Sequence, residues 1–108
     1  MEKKYIIITG GSGGIGSEIT KFLQSKGFEI INLDIKSNKN NHTTNYKCDL
    51  SKVNDIKKIF NKIKLPIVGL INCAGITIPG ETIKYSISNW NKTLSINLTA
   101  SFIASQLA

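Results

Sequence analysis

The sequence predicts a doubly wound, parallel α/β sheet, and three observations carry that prediction. Apolar, β-branched runs alternate with segments whose apolar residues recur at helical spacing, an alternation that requires parallel strands joined by right-handed crossovers. A glycine turn, Thr9-Gly10-Gly11-Ser12-Gly13-Gly14-Ile15-Gly16, follows the first apolar run and opens onto the first helical pattern. Asp34 closes the second apolar run, at the strand end outside which ligands of open α/β sheets bind. The expected architecture is partial: about four strands in the order 3-2-1-4 with flanking helices, in one domain over residues 1–108.

Each element follows from a local pattern. Lys4 to Thr9 reads as a strand covered on both faces, since it is apolar without alternation. Ile15, Ile19, Phe22 and Leu23 form one apolar helix face, and Gly27 supplies the stop. Phe28 to Asp34 is the second strand. Lys36 to Thr44 is polar, Asn-rich and aperiodic, and reads as a surface loop with no function of its own. Asn45 to Asp49 is a short third strand, after which Ser51 is positioned to cap a helix whose stripe is Val53, Ile56, Phe60 and Ile63. Lys57, Lys58 and Lys62 fall mostly off that stripe and read as a solvated face. Pro66 ends that segment. Ile67 to Asn72 is the fourth strand, with Gly69 suggesting a close backbone approach. Ser88 then caps a final helix from Asn89 onward, with Trp90, Leu94, Asn97, Ser101 and Ala104 along one side. Asn97 breaks that face and needs a hydrogen-bond partner.

Composition narrows the function. With 108 residues the chain has room for one domain but not for two βαβαβ halves. Hydrophobic residues at 41% and charged residues at 19% place it among globular proteins and exclude disorder. The net charge of +7 comes wholly from lysine, scattered along the chain with no arginine. That pattern lacks the clustered, bidentate footprint of nucleic-acid sites, so no nucleic-acid partner is expected. Cys48 and Cys73 stand far apart, no secretory signal precedes them, and reduced thiols in a cytoplasmic setting are the expectation. His42, the single histidine, has no ligand at metal spacing, so no metal site is expected. No apolar run reaches the roughly 20 residues of a membrane span, so no membrane partner is expected. Asn41-His42-Thr43 matches a glycosylation acceptor and reads as a chance match.

The glycine turn has a specific chemistry. Backbone N–H groups at a helix N-terminus have no intrahelical partner and lie at the positive end of the helix dipole, so a pyrophosphate placed there satisfies donors and charge together. A carboxylate at the end of the second strand accepts hydrogen bonds from both ribose hydroxyls and repels a 2′-phosphate. Asp34 therefore favours NAD over NADP.

These residues together resemble the N-terminal half of a short-chain dehydrogenase/reductase, over essentially the whole sequence. The family's Thr-Gly-x-x-x-Gly-Ile-Gly turn corresponds to Thr9 to Gly16, and its acidic residue after the second strand to Asp34. Asp49-Leu50 matches the pair that in the family packs near the adenine. Asn72-Cys73-Ala74-Gly75 matches Asn-Asn-Ala-Gly, with Cys73 where the family varies. Asn97 in Ile96-Asn97-Leu98 matches the asparagine of the catalytic set, which in the family anchors a water and the lysine's proton relay. Trp90 falls where the family often has an aromatic residue.

The resemblance implies a Rossmann-like domain. It also implies cofactor contacts from Gly10, Ser12, Gly13, Gly14, Ile15, Gly16, Asp34, Asp49, Leu50, Asn72, Ala74 and Gly75. Where NADP-preferring members carry a basic residue, this sequence has Gly13 and Ile35. The implied activity is NAD-dependent hydride transfer on a small-molecule alcohol or carbonyl. The family's acid/base, the tyrosine of Tyr-x-x-x-Lys, is absent from the sequence: four residues after Tyr5, Tyr46 and Tyr85 stand Thr9, Leu50 and Asn89.

The expectation is a fragment of an oxidoreductase. The alternatives are a non-catalytic dinucleotide-binding module and one half of a split enzyme. An unpaired sheet edge after the fourth strand is expected to make the chain marginal, homo-oligomeric or completed by another polypeptide.

Overall fold

The computed structural model describes residues 2–40 and 42–108. Asn41, the acceptor residue of the glycosylation match, lies outside the described residues. The elements run β1 (Tyr5–Thr9), α1 (Gly14–Ser25), β2 (Glu29–Asp34), β3 (Thr43–Lys47), α2 (Val53–Lys62) and β4 (Ile67–Asn72). A 3-10 turn (Thr82–Lys84), α3 (Ile87–Leu94), a π-helical segment (Ser95–Thr99) and α4 (Ala100–Leu107) follow. The four strands form one parallel sheet in the order β3-β2-β1-β4, as the sequence predicts.

Strand alternation divides the core between the two faces of the sheet. Ile6, Ile8 and Ile30 pack on one face with Ile19 and Leu23 of α1. Ile7, Ile31 and Leu33 pack on the other with Ile56 and Ile59 of α2 and Ala100 of α4. Ile7, Ile8, Ile30, Ile31 and Leu33 are almost completely buried, each contributing roughly 1.5–3 kcal/mol of hydrophobic stabilisation.

Several local expectations are corrected. In α1, Ile15 and Phe22 are 75% and 61% exposed, and the inward face is Gly16, Ile19, Thr20 and Leu23. The reason is the approach at Gly16: a Cβ there would overlap the Gly10 carbonyl oxygen, so the helix enters with bare backbone against the turn and rotates its larger residues outward. The third strand begins at Thr43, because its pairing with β2 runs from Ile30↔Thr43 to Asp34↔Lys47.

Ser51 does not cap α2. Its N–H and hydroxyl both donate to Asp49 Oδ1, at 3.0 and 2.6 Å, and Lys52 holds the N-cap position without a side-chain bond. The stripe of α2 also includes Ile59, which is buried. The final helix starts earlier than predicted, since Ser86 Oγ, not that of Ser88, accepts from the Asn89 N–H at 3.0 Å. Gly69 makes no tight approach. A Cβ there would meet Ile6 at an ordinary 3.6 Å, and the glycine instead follows a bulge where the β1–β4 register shifts. The last segment is two α-helices joined through the π turn, with αR backbone at both junctions.

A candidate dinucleotide site at the strand ends

A cavity of about 820 Å³ opens at the C-terminal ends of the strands. Gly10, Gly13, Gly14, Ile15 and Gly16 form its floor. Asp34 and Ile35 at the end of β2, and Cys48, Asp49, Leu50 and Ser51 after β3, form one wall. Cys73, Ala74, Gly75 and Ile76 after β4, with Lys92 and Ile96, form the other.

The floor suits a pyrophosphate. Gly13 is the N-cap of α1 and makes no side-chain cap, and the first turn carries no acidic residue. The N–H groups of Gly14, Ile15 and Gly16, residues that line the cavity, have no intrahelical acceptors and lie at the positive end of a 12-residue helix. A Cβ at Gly14 would meet nothing within 4 Å, which leaves room above the turn. Gly10 is fixed as glycine for two reasons: its φ is 71°, and a Cβ would lie 2.7 Å from Ala74 Cα.

At the β2 wall, Asp34 presents a partly buried carboxylate. Its Oδ2 accepts from Ser12 N and its Oδ1 from Lys36 N, each at 3.1 Å. An ionised carboxylate has about four acceptor positions, so about two remain for a ligand's hydroxyls. Beyond β3, Asp49 is held below the usual carboxylate range, first by the Ser51 hydroxyl and then by the Ser51 N–H, with Lys52 and Lys92 adding their charge. Cys48 is buried at the base of that wall. Burial, then the neighbouring charges of Asp55 and Asp49, push its thiol up to about 11.

Of the residues expected to contact a cofactor, Gly10, Gly13, Gly14, Ile15, Gly16, Asp34, Asp49, Leu50, Ala74 and Gly75 are brought together around the cavity. Three expected site residues are placed elsewhere. Ser12 does not line the cavity, and its hydroxyl donates to Lys36 O at 2.5 Å and accepts from Asn32 Nδ2 at 2.9 Å. Asn72 Nδ2 donates to Ser105 Oγ at 3.1 Å, toward α4. Asn97 sits in the π segment with its amide paired to both backbone polar groups of Ile76.

Other side chains, given no role by the sequence pattern, support the cavity. Thr9 Oγ1 accepts from Cys73 N and Ala74 N, both at 3.2 Å, and so ties the end of β1 to the wall that follows β4. Its place at the head of the glycine turn was the available signal. Asn32 is buried in β2, and its Oδ1 accepts from Gly11 N at 2.8 Å. A polar residue flanked by apolar ones within the strand is the signal there. The loop after β2 is tied to the turn as well: Asn38 Nδ2 donates to Gly11 O at 2.8 Å, so the loop does have a structural role.

Known proteins are similar to this chain in sequence and fold. The NAD-dependent glycerol dehydrogenase of Listeria innocua is 27% identical over 96% of this chain and 45% of its own. A short chain dehydrogenase of Leptospira borgpetersenii, solved with bound NAD+, superimposes with a TM-score of 0.85 at 32% identity, over 99% of this chain and 45% of that one. A 4-hydroxyisoleucine dehydrogenase solved with NADH and succinate gives 0.88 at 33% identity, over 94% and 49%. The chain spans a little under half the length of these relatives. The family model described as short chain dehydrogenase matches residues 4–108. That match covers almost the whole sequence, and the chain belongs to the short chain dehydrogenase family.

Proposed function

We propose that the chain binds a nicotinamide dinucleotide in the strand-end cavity, NAD in preference to NADP. In this reading it forms the cofactor-binding part of an oxidoreductase acting on an alcohol or carbonyl group of a small molecule. The observation that carries the reading is the Asp34 carboxylate on the cavity wall, beside the uncapped start of α1. Gly14, Ile15 and Gly16 hold the pyrophosphate through their N–H groups. Asp34 accepts from the adenosine ribose hydroxyls, and its charge opposes a 2′-phosphate. Asp49 and Leu50 border the adenine. Ser12, Asn72 and Asn97 support the walls through their hydrogen bonds instead of lining the cavity. The bound dinucleotide supplies the hydride donor or acceptor.

Proton exchange with the substrate oxygen needs a positioned acid/base, and the tyrosines of this sequence are engaged elsewhere. Tyr85 donates its hydroxyl to Ile78 O at 2.6 Å, and Tyr5 and Tyr46 pack against the core. In this reading the 108 residues bind and orient the cofactor, and the acid/base belongs to polypeptide outside them, either in a longer chain or in a complementing one. The edge of β4, unpaired among the described residues, and the exposed Leu98 and Phe102 give such polypeptide an attachment surface.

Replacing Asp34 tests the cofactor assignment. Wild type is expected to bind NADH more tightly than NADPH by fluorescence titration, and Asp34→Ala to lose about tenfold of that preference, the worth of one or two hydrogen bonds. An unchanged preference in a folded variant would remove Asp34 from the role.

A further inference from the structure

We infer that Asn32, Asn38 and Asn45 form an amide clip that locks the loop after β2 onto the glycine turn, making them positioning residues for cofactor discrimination at Asp34. The inference rests on the dinucleotide reading above and goes beyond it, because none of the three asparagines lines the cavity.

Alternation in β2 puts Asn32 on the α1 side of the sheet, in line with Ile30 and away from Ile31 and Leu33. From there its Oδ1 accepts from Gly11 N, and its Nδ2 donates to Ser12 Oγ and to Asn45 Oδ1, at 2.8, 2.9 and 3.0 Å. Asn45 in β3 also accepts from Asn38 N at 2.8 Å and returns a bond from its Nδ2 to Asn38 O at 2.9 Å. Asn38 then closes the circuit, donating from Nδ2 to Gly11 O at 2.8 Å. Both polar groups of the Gly11 backbone are therefore held by asparagine side chains. The fit is tight: a Cβ on Gly11 would fall 2.5 Å from Asn32 Oδ1.

The clip determines which donors surround Asp34. Ser12 N and Lys36 N are both directed at the carboxylate, and Ser12 Oγ is spent on Lys36 O. No donor of this set is left for a 2′-phosphate. What remains available is carboxylate oxygen, which matches the hydroxyl donors of a free ribose diol. Opening the clip frees the loop whose Lys36 O holds the Ser12 hydroxyl and which carries the exposed Lys36 and Lys39, groups that suit a phosphate. Discrimination thus depends on the asparagines as well as on the charge of Asp34.

The test compares NADH and NADPH dissociation constants for the 108-residue chain, Asn38→Ala and Asn32→Leu, with amide hydrogen exchange at Gly11 and Ser12 measured without ligand. Asn38 is only half buried, so Asn38→Ala keeps the test alive if Asn32→Leu does not fold. Expected are faster exchange at Gly11 in Asn32→Leu, which removes the acceptor of that N–H, and in each folded variant about a tenfold fall in the preference for NADH over NADPH. A purely structural role would weaken both dinucleotides alike and leave their ratio unchanged, and that result overturns the inference. Wild type binding neither dinucleotide would defeat the dinucleotide reading and the inference with it. Wild type that prefers NADH, with variants of unchanged ratio, would defeat the inference alone.

Discussion

The side-chain amide of Asn97 pairs with both backbone polar groups of Ile76, accepting from its N–H and donating to its carbonyl, each at 2.8 Å. The π turn carrying Asn97 thereby holds the loop that forms one wall of the cavity. Asn97→Ala removes both bonds. The pair is exposed, so the expected loss is about 1 kcal/mol, read as a lower urea midpoint with an unchanged slope. Asn97→Asp keeps an acceptor for Ile76 N but no donor for Ile76 O at neutral pH, and is expected to lose a similar amount. An unchanged midpoint in both variants would show that the pairing does not hold the loop.

Thr9 gives a second, buried test. Thr9→Val keeps the shape of the side chain but leaves the N–H groups of Cys73 and Ala74 without their shared acceptor. The expected cost is about 1 kcal/mol or somewhat more, because two partly buried donors lose their acceptor. Thr9→Ser, which retains the oxygen, is expected to recover a large part of it. Equal stability of the Val and Ser variants would contradict the role.

Alkaline pH tests the burial of Cys48. Its thiol is raised from an ordinary 9.0 to about 11, so between those values the unfolded chain gives up a proton that the folded chain keeps. Fewer protons on the unfolded state mean that stability falls as pH rises through this window. Urea midpoints from pH 8 to 11 are expected to decline with a Cys48 contribution that Cys48→Ala lacks. Thiol labelling at pH 8 should reach the half-buried Cys73 first and Cys48 only on unfolding. Rapid labelling of Cys48 in the folded chain would contradict its placement.

Acidic pH tests Asp49. Its carboxyl is lowered from 3.8, with the Ser51 hydroxyl as the largest cause. The stabilisation is therefore fully present above 3.8 and is lost as pH falls through the lower, folded value. Ser51→Ala is expected to flatten this part of the acid limb. A limb identical to wild type would remove Ser51 as the cause.

The legible parts of the fold were those set by periodicity and by glycine. The order 3-2-1-4 followed from alternating elements and from the turn after the first strand. Asp34 was legible because strand ends define the site. What escaped depends on contacts across the sheet. The inward face of α1 is set by the bare backbone at Gly16 and not by its largest apolar residues, so Phe22, which the periodicity predicts to face inward, lies outside. The loop from Lys36 to Thr44 reads as polar and aperiodic, and only the fold brings Asn38 to Gly11 and Asn45 to Asn32. The π segment is a change in hydrogen-bond spacing that side-chain pattern does not encode.

The most direct test of the central claim is an amide NMR titration of the uniformly labelled chain with NADH. The account predicts saturable shifts concentrated at Gly13, Gly14, Ile15 and Gly16, at Asp34 and Ile35, and at Asp49, Leu50, Ala74 and Gly75, with Lys57 and Lys58 on α2 unmoved. A folded chain whose spectrum does not respond to NADH, or responds only away from the strand-end cavity, would contradict it.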